Sequence, residues 1–218
     1  MTAASRFAGI HVLADDDPRW KPDPVEQAQA ACAGGAAVVQ LRAKHAPDRA
    51  VLAWARAIRE ATRQRGVAFV VNDRFDLALA AEADAVHLGR DDLPPSAVPE
   101  RIRAALPVGL SSHDAAQARE AAEEDPAYVA FGPLFGTTSK DSPFSARGLD
   151  ALAEVVRAVA PRPVVAIGGI GEDQLEDIAA AGAAGAAVIS AVAGASDPED
   201  ATRRLVRAFD AARSREDP

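Results

Sequence analysis

Residues Ala37 to Asn72 read AVVQLRAKHAPDRAVLAWARAIREATRQRGVAFVVN, and this stretch decides the fold. It opens on a short β-branched run, Ala37–Arg42, that is almost entirely apolar until its end. A longer Ala-rich amphipathic segment follows at Asp48–Arg65, and a second apolar run closes the stretch at Ala68–Asn72. Short runs without polar alternation are what parallel strands covered on their outer face require. Two parallel strands need a crossover between them, here a helix, so the stretch is one βαβ unit.

The same alternation extends in both directions. Further strands are expected at Gly9–Ala14, Ala85–Leu88, Val108–Ser111, Tyr128–Gly132, Val164–Gly168 and Ala187–Ser190. Helices are expected at Pro24–Ala33, Arg74–Ala81, His113–Glu123, Leu149–Val159, Glu172–Ala181 and Pro198–Ala212, with a weaker crossover at Pro94–Ala105, where Pro99 intrudes. Asp48, Asp114 and Asp173 stand as caps or first-turn acids, and Pro24 and Pro198 near the first helical position. Eight strands and eight helices leave roughly 27 residues per unit, enough for a strand, a helix and two short loops. Repeated right-handed βαβ units build an open doubly wound sheet or a closed barrel. The count of eight favours closure, and Val12-Leu13-Ala14-Asp15 carries no G-x-G-x-x-G after the first strand. The expectation is an α/β chain forming a single (β/α)8 TIM barrel over residues 1–218, with a frayed tail from about residue 213.

Composition narrows the function classes. With 49% hydrophobic and 26% charged residues among 218, the chain can bury a sizeable core. A net charge of −8 argues against non-specific nucleic-acid binding while leaving room for a local basic pocket. Cys32 is the single cysteine, which excludes an internal disulfide framework and a Cys-rich zinc site. No apolar run reaches the ~20 residues of a membrane helix, and Met1–Arg6 is too short and polar for a secretory signal. A cytoplasmic protein without nucleic-acid or membrane partners is expected; the oligomeric state is left open. Of the 24 basic residues only Lys21, Lys44 and Lys140 are lysines, and Asn72 is the single asparagine. Where a chain that favours arginine keeps lysine, the slim point charge matters.

In a barrel, chemistry collects where strands end. Gln40, Arg42 and Lys44 alternate at the end of the second strand, so one face receives all three while the strand lasts. Such an inward row is costly unless it meets an anion. The third strand ends in Asn72-Asp73 and the fourth runs into Gly89-Arg90-Asp91-Asp92. Neighbouring strands lie roughly 4.8 Å apart, so carboxylates at both tips can share one cation, and Mg²⁺ suits a few carboxylates with positions open for phosphate oxygens. Asp73 and Asp92 make the better pair, with Asp91 a competitor. In a plainer reading Asp73 caps a helix and Asp92 a turn. After the fifth strand, Ser111 or Ser112 offers a hydroxyl, and His113 is either a polar helix opening or a general acid or base. His87 reads as a structural barrel residue and Cys32 as core; His11 and His45 carry no signal. Thr137, Thr138, Ser139 and Lys140 follow the sixth strand as an anion-binding loop. Gly168, Gly169, Ile189 and Ser190 end the seventh and eighth, where barrels frequently hold phosphate. The rim thus offers a cationic site for a diphosphate and a neutral one for a monophosphate. Two small phosphorylated substrates and departing pyrophosphate follow.

These motifs together resemble the thiamine-phosphate synthase family. The resemblance rests on Gln40-Leu41-Arg42-x-Lys44, Asn72-Asp73-Arg74-x-Asp76-Leu77-Ala78, His87-Leu88-Gly89-x-x-Asp92-Leu93-Pro94, Gly109-x-Ser111, Gly132-Pro133-x-Phe135-x-Thr137-x-Ser139-Lys140, Ala166-Ile167-Gly168-Gly169-Ile170 and Ile189-Ser190-Ala191, in order over about Gln40 to Pro198. It implies a TIM-barrel transferase that joins hydroxymethylpyrimidine diphosphate to thiazole phosphate with Mg²⁺. Gln40, Arg42, Lys44, Asn72, Ser111 and Lys140 would hold the pyrimidine diphosphate, with Arg42, Ser111 and Lys140 catalytic. Asp73 and Asp92 would bind Mg²⁺, and Thr137, Ser139, Gly169, Ile189 and Ser190 the thiazole phosphate. The implied reaction is dissociative: pyrophosphate departs, a pyrimidine-stabilised cation forms, and the thiazole nitrogen captures it without a protein nucleophile. Arg90 stands where the family usually has Gln, Ser139 for Thr, and Ala186 for Val or Gly. The first strand lacks the usual Tyr and Thr-Asp ending. The rival readings are a thiazole tautomerase-like isomerase using His113, and a non-catalytic barrel that binds a thiamine phosphate.

Overall fold

The computed structural model describes residues 6–136 and 145–216. The described residues form a closed, all-parallel barrel whose eight strands follow one another in chain order. They are β1 (Gly9–Asp15), β2 (Val38–Arg42), β3 (Ala68–Asn72), β4 (Ala85–Leu88), β5 (Val108–Ser112), β6 (Tyr128–Phe131), β7 (Val164–Ile167) and β8 (Gly185–Val188). β1 closes the ring against β8, with Gly9 beside Gly185. Each is a glycine for its own reason: a Cβ on Gly185 would stand 2.4 Å from the Gly9 carbonyl oxygen, while Gly9 has a φ of +107° and a Cβ there would stand 2.9 Å from the Ala37 Cβ.

Apolar residues line both faces of the strands because each face meets a separate core. Outward side chains such as Val39, Leu41, Phe69 and Val71 pack under the helices. Inward ones, among them Leu13, Val38, Val70, Tyr128 and Val165, fill the barrel itself. Phe7, just before β1, plugs the N-terminal end with its ring centroid 5.4 Å from that of Tyr128.

The first helix, α1 (Pro24–Gly34), starts on an Asp23–Glu26 capping box and stops at Gly35, which takes the left-handed φ of +89° that a side chain resists. α2 (Asp48–Arg65) and α3 (Phe75–Ala80) cover the next two crossovers. The Pro-rich fourth crossover forms only a 3₁₀ turn at Pro95–Ala97 and one helical turn, α4 (Glu100–Arg103). Ring closure and missing N–H groups at Pro94, Pro95 and Pro99 explain that brevity. α5 (Ala115–Glu123) is capped by Asp114, whose side chain accepts from the Gln117 N–H. α6 (Gly148–Val159), α7 (Leu175–Ala180), α8 (Ser190–Ala193) and α9 (Pro198–Glu216) complete the ring.

Two expectations need correction. β8 lies two residues earlier than Ala187–Ser190, so Ser190 opens the short α8 and does not end a strand. The alternation is also not strict, since α8 precedes α9 with no strand between them. No helix among the described residues is long and apolar enough to cross a membrane.

Candidate active site

Register builds the first half of the site. Asp15 and Arg42 are direct neighbours across β1 and β2, at the C-terminal ends where both point inward. Arg42 Nη1 lies 2.5 Å from Asp15 Oδ2, and the Asp15 side chain is fully buried. Asp15 Oδ1 accepts from Trp20 Nε1 (3.1 Å) and from the Asp17 N–H (3.0 Å). Gln27 on α1 seats the same residue by accepting from its N–H (3.0 Å) and donating to its carbonyl (2.9 Å). A carboxylate so thoroughly satisfied holds the guanidinium at the mouth with some of its five donors still available. Gln40 sits one inward step below Arg42 and is buried.

The next residue, Asp16, ties down the loop that carries Lys44. Its carboxylate accepts from the N–H groups of Lys44, His45 and Ala46 at 2.7, 2.9 and 2.8 Å. Lys44 itself stretches across to β3, where its Nζ lies 2.5 Å from Asp73 Oδ2. Asp73 follows Asn72 at the tip of β3 with φ +66°, a left-handed conformation that Asp tolerates better than most residues. Its N–H donates to the His87 carbonyl at 2.8 Å. Asp73 makes no helix cap; the residue at that position before α3 is Arg74.

Asp92 reaches the same place from β4, accepting from the Gly89 N–H at 2.6 Å. Burial raises the Asp92 carboxyl above its ordinary value, the Gly89 N–H opposes this, and the neighbouring Asp73 carboxyl raises it further. The two aspartates therefore converge, whereas Asp91 is exposed to solvent. Asp91 also borders this bay, but it is Asp92 that faces Asp73. Arg90 is paired with Glu120 of α5 at 3.0 Å, which offsets the extra charge beside the carboxylates. Arg42, Lys44, Asn72, Asp73 and Asp92 thus line one open polar bay.

A second hollow lies over the barrel axis and opens to the mouth. Leu13, Ala130, Val165 and Ile167 make its walls apolar, Gln40 and Tyr128 lie on the inward face, and Gly169, Ile189 and Ser190 form the far rim. His87, Ser111 and His113 border both hollows and join them into one cleft. Ser111 is the hydroxyl that faces it; Ser112 is buried and donates to the Ala130 carbonyl at 3.0 Å. His113 donates from Nδ1 to the Gly132 carbonyl at 2.5 Å.

Gly168 (φ +104°) and Gly169 (φ +68°) both need left-handed backbone. A Cβ on Gly169 would stand 2.3 Å from the Gly136 carbonyl oxygen, so the pair also lets the β6 loop lie against β7. Thr137, Ser139 and Lys140 lie outside the described residues. Cys32 is core as expected, and burial pushes its thiol up to about 11.

The family described as thiamine monophosphate synthase matches residues 10–192 of the chain. The chain belongs to that family. It is 49% identical over 213 residues to the thiamine-phosphate synthase of Anaeromyxobacter dehalogenans, covering 96% of this chain and 91% of the relative. The protein of the same name from Methanoculleus marisnigri is 45% identical over 196 residues, with 90% and 92% covered. The solved thiamine phosphate pyrophosphorylase of Pyrococcus furiosus superposes with a TM-score of 0.85 at 35% identity, covering 96% and 98% of the two chains. These likenesses favour the family's transferase over the tautomerase and binding-protein readings.

Three parts of the site are not legible in the sequence. Asp15 and Asp16 precede the polar motifs, and only register reveals that they hold Arg42 and the Lys44 loop. His87 is buried in the barrel as expected, and in addition it lines the cleft and contacts Ser111. Tyr128 belongs to no polar motif, and its one signal is the glycine at 109, whose missing side chain leaves room for the ring.

Proposed function

We propose that the chain joins a hydroxymethylpyrimidine diphosphate to a thiazole phosphate, giving thiamine phosphate and pyrophosphate. The observation that carries this reading is one continuous cleft with two chemically different ends. At one end Arg42, Lys44 and Asn72 gather beside two carboxylates; at the other, Gly169, Ile189 and Ser190 border an apolar hollow. A diphosphate needs the first and a thiazole with a phosphate tail fits the second.

Arg42, anchored by Asp15, binds the diphosphate and takes up charge as the C–O bond to the pyrimidine methylene breaks. Lys44 and Asn72 orient the same group. Lys140 belongs with them on sequence grounds. Gln40 and Ser111 hold the pyrimidine ring so that its methylene faces the thiazole nitrogen. Thr137, Ser139, Gly169, Ile189 and Ser190 hold the thiazole phosphate. Positioning and electrostatic stabilisation of a leaving diphosphate supply the rate.

Asp73 and Asp92 are the proposed Mg²⁺ ligands. Their donor set fits: two converging carboxylates, one already drawing in an ammonium, with room for water and phosphate oxygens. When bound, Mg²⁺ would neutralise charge on the leaving pyrophosphate. Among the described residues no group of three or more His, Cys, Asp or Glu side chains surrounds a common point. A site completed by substrate oxygens has no need of one.

The deciding experiment mixes both phosphorylated substrates with the protein and measures pyrophosphate, with Mg²⁺ and with excess chelator. Release that depends on both substrates and on the metal is expected. Full turnover under chelation would remove the metal from the proposal, and no turnover in any arm would remove the reaction.

A further inference from the structure

Three strands carry an arrangement below the mouth that the reaction scheme does not use. His87, Gly109 and Tyr128 form one inward row across β4, β5 and β6: His87 pairs in register with Gly109, and Gly109 with Tyr128. The middle member has no side chain, and the Tyr128 ring occupies the space. A Cβ on Gly109 would stand 2.2 Å from Tyr128 Cζ and 2.6 Å from its hydroxyl oxygen. Through that opening the Tyr128 ring stacks on the His87 imidazole, centroids 5.6 Å apart and planes 12° from parallel. The Tyr128 hydroxyl comes within 3.1 Å of His87 Nδ1. His87 Nε2 lies 2.9 Å from Ser111 Oγ, one inward step above Gly109 and facing the cleft.

A neutral imidazole donates through one nitrogen and accepts through the other. Two proton arrangements are therefore open to the row. In one, Tyr128 donates to Nδ1, Nε2–H donates to Ser111, and the Ser111 hydrogen is left to point into the cleft. In the other, Nδ1–H donates to Tyr128 and Ser111 donates to Nε2, so only lone pairs face a ligand. Tyr128 is 1% exposed, and burial holds its phenol protonated. Its hydroxyl has no other hydrogen-bond partner among the described residues. The second arrangement would strand a buried phenol hydrogen without an acceptor, a cost that folded chains avoid.

The geometry points to Tyr128 as a positioning residue that, through the tautomer of His87, fixes Ser111 as a hydrogen-bond donor to an acceptor nitrogen on the ligand's ring. This rests on the pyrimidine site proposed above and adds its polarity. The cleft selects a heterocycle presenting a lone pair at Ser111, and it disfavours a ring presenting an N–H there.

The test begins without any ligand. Protein labelled with ¹⁵N-histidine, with His87 assigned by loss of its signals in His87→Gln, reports which ring nitrogen carries the proton. The Nε2–H form is expected in the wild-type chain. Tyr128→Phe, which keeps the ring and removes the hydroxyl, is expected to shift His87 toward a mixture of both forms. His87 found as Nδ1–H, or unmoved by Tyr128→Phe, would overturn the proposal.

Kinetics supply the second reading. Tyr128→Phe should lower kcat/KM for the pyrimidine diphosphate about tenfold, the order of one lost hydrogen bond. In a Ser111→Ala background the same change should cost nothing more, because the relay ends at Ser111. Additive losses would mean that Tyr128 only supports the fold. If the wild-type chain released no pyrophosphate, the reaction would fall, and the tautomer measurement would still decide the relay.

Discussion

His11 offers a prediction whose size can be worked from the barrel interior. The imidazole is 1% exposed, its Nε2–H donates to the Phe7 carbonyl at 2.7 Å, and its ring meets Tyr128 edge-on. Burial lowers its pKa from 6.5 to about 4, with the Phe7 hydrogen bond opposing. The folded protein therefore keeps His11 neutral across a range in which the unfolded chain binds a proton. Between pH 6.5 and about 4 the unfolded state holds more protons, so stability rises with pH and falls on acidification. The full gap corresponds to about 3 kcal/mol at roughly 1.4 kcal/mol per pH unit. About 2 kcal/mol of it is lost between pH 7 and pH 5. His11→Gln keeps an N–H that can reach Phe7 but does not titrate. Urea unfolding of both proteins at pH 7, 6 and 5, followed by far-ultraviolet circular dichroism, isolates the effect because other titrating groups cancel in the difference. Wild type minus variant should fall by about 2 kcal/mol from pH 7 to pH 5. A difference constant to within about 0.5 kcal/mol would show that His11 is not a buried neutral imidazole.

Three further substitutions probe the cleft. Asp15→Asn leaves Arg42 at the mouth without its buried partner; a loss of about 3 kcal/mol in urea unfolding is expected, together with a raised KM for the diphosphate. An unchanged KM would show that Arg42 does not need Asp15 to engage substrate. Asp92→Asn should reduce pyrophosphate release by at least about a hundredfold while leaving the melting temperature within a few degrees, since Asp92 lies on the rim; normal turnover would remove it from the metal site. His113→Ala should keep most of the activity, because its Nδ1–H is spent on the Gly132 carbonyl. A collapse to background would shift the assignment to proton-transfer chemistry.

How far the sequence could be read depended on whether a feature was local. Strand and helix positions came from periodicity within a few residues, and closure came from counting them. β8 was misplaced because its first residue is Gly185, which reads as a poor strand former. Its reason for being there is the carbonyl of Gly9, adjacent across the ring closure but far away along the chain. Arg42, Lys44, Asp73 and Asp92 were legible because strand ends and alternation put them at the mouth. Asp15 was not, because its pairing with Arg42 depends on a register set by the whole barrel. The choice between Asp91 and Asp92, and between Ser111 and Ser112, turned on side-chain direction at a loop or a strand end, where period-two reasoning stops.

The glycines of the inward rows show why fold and site are hard to separate here. Gly185 permits the backbones of β1 and β8 to meet, and Gly109 permits a tyrosine to cross β5. In both cases the missing Cβ is filled by an atom from a neighbouring strand, so the barrel stays close-packed while its contents are specified. Gly109→Ala would therefore do two things at once. It would force the Tyr128 ring away, with an overpacking cost of about 1–3 kcal/mol, and it would break the contact that orients His87. Tyr128→Phe removes only the second. Comparing the two in unfolding and in His87 tautomer separates the packing role of the row from its polar role. If Gly109→Ala left the His87 tautomer unchanged, the opening in β5 would serve packing alone.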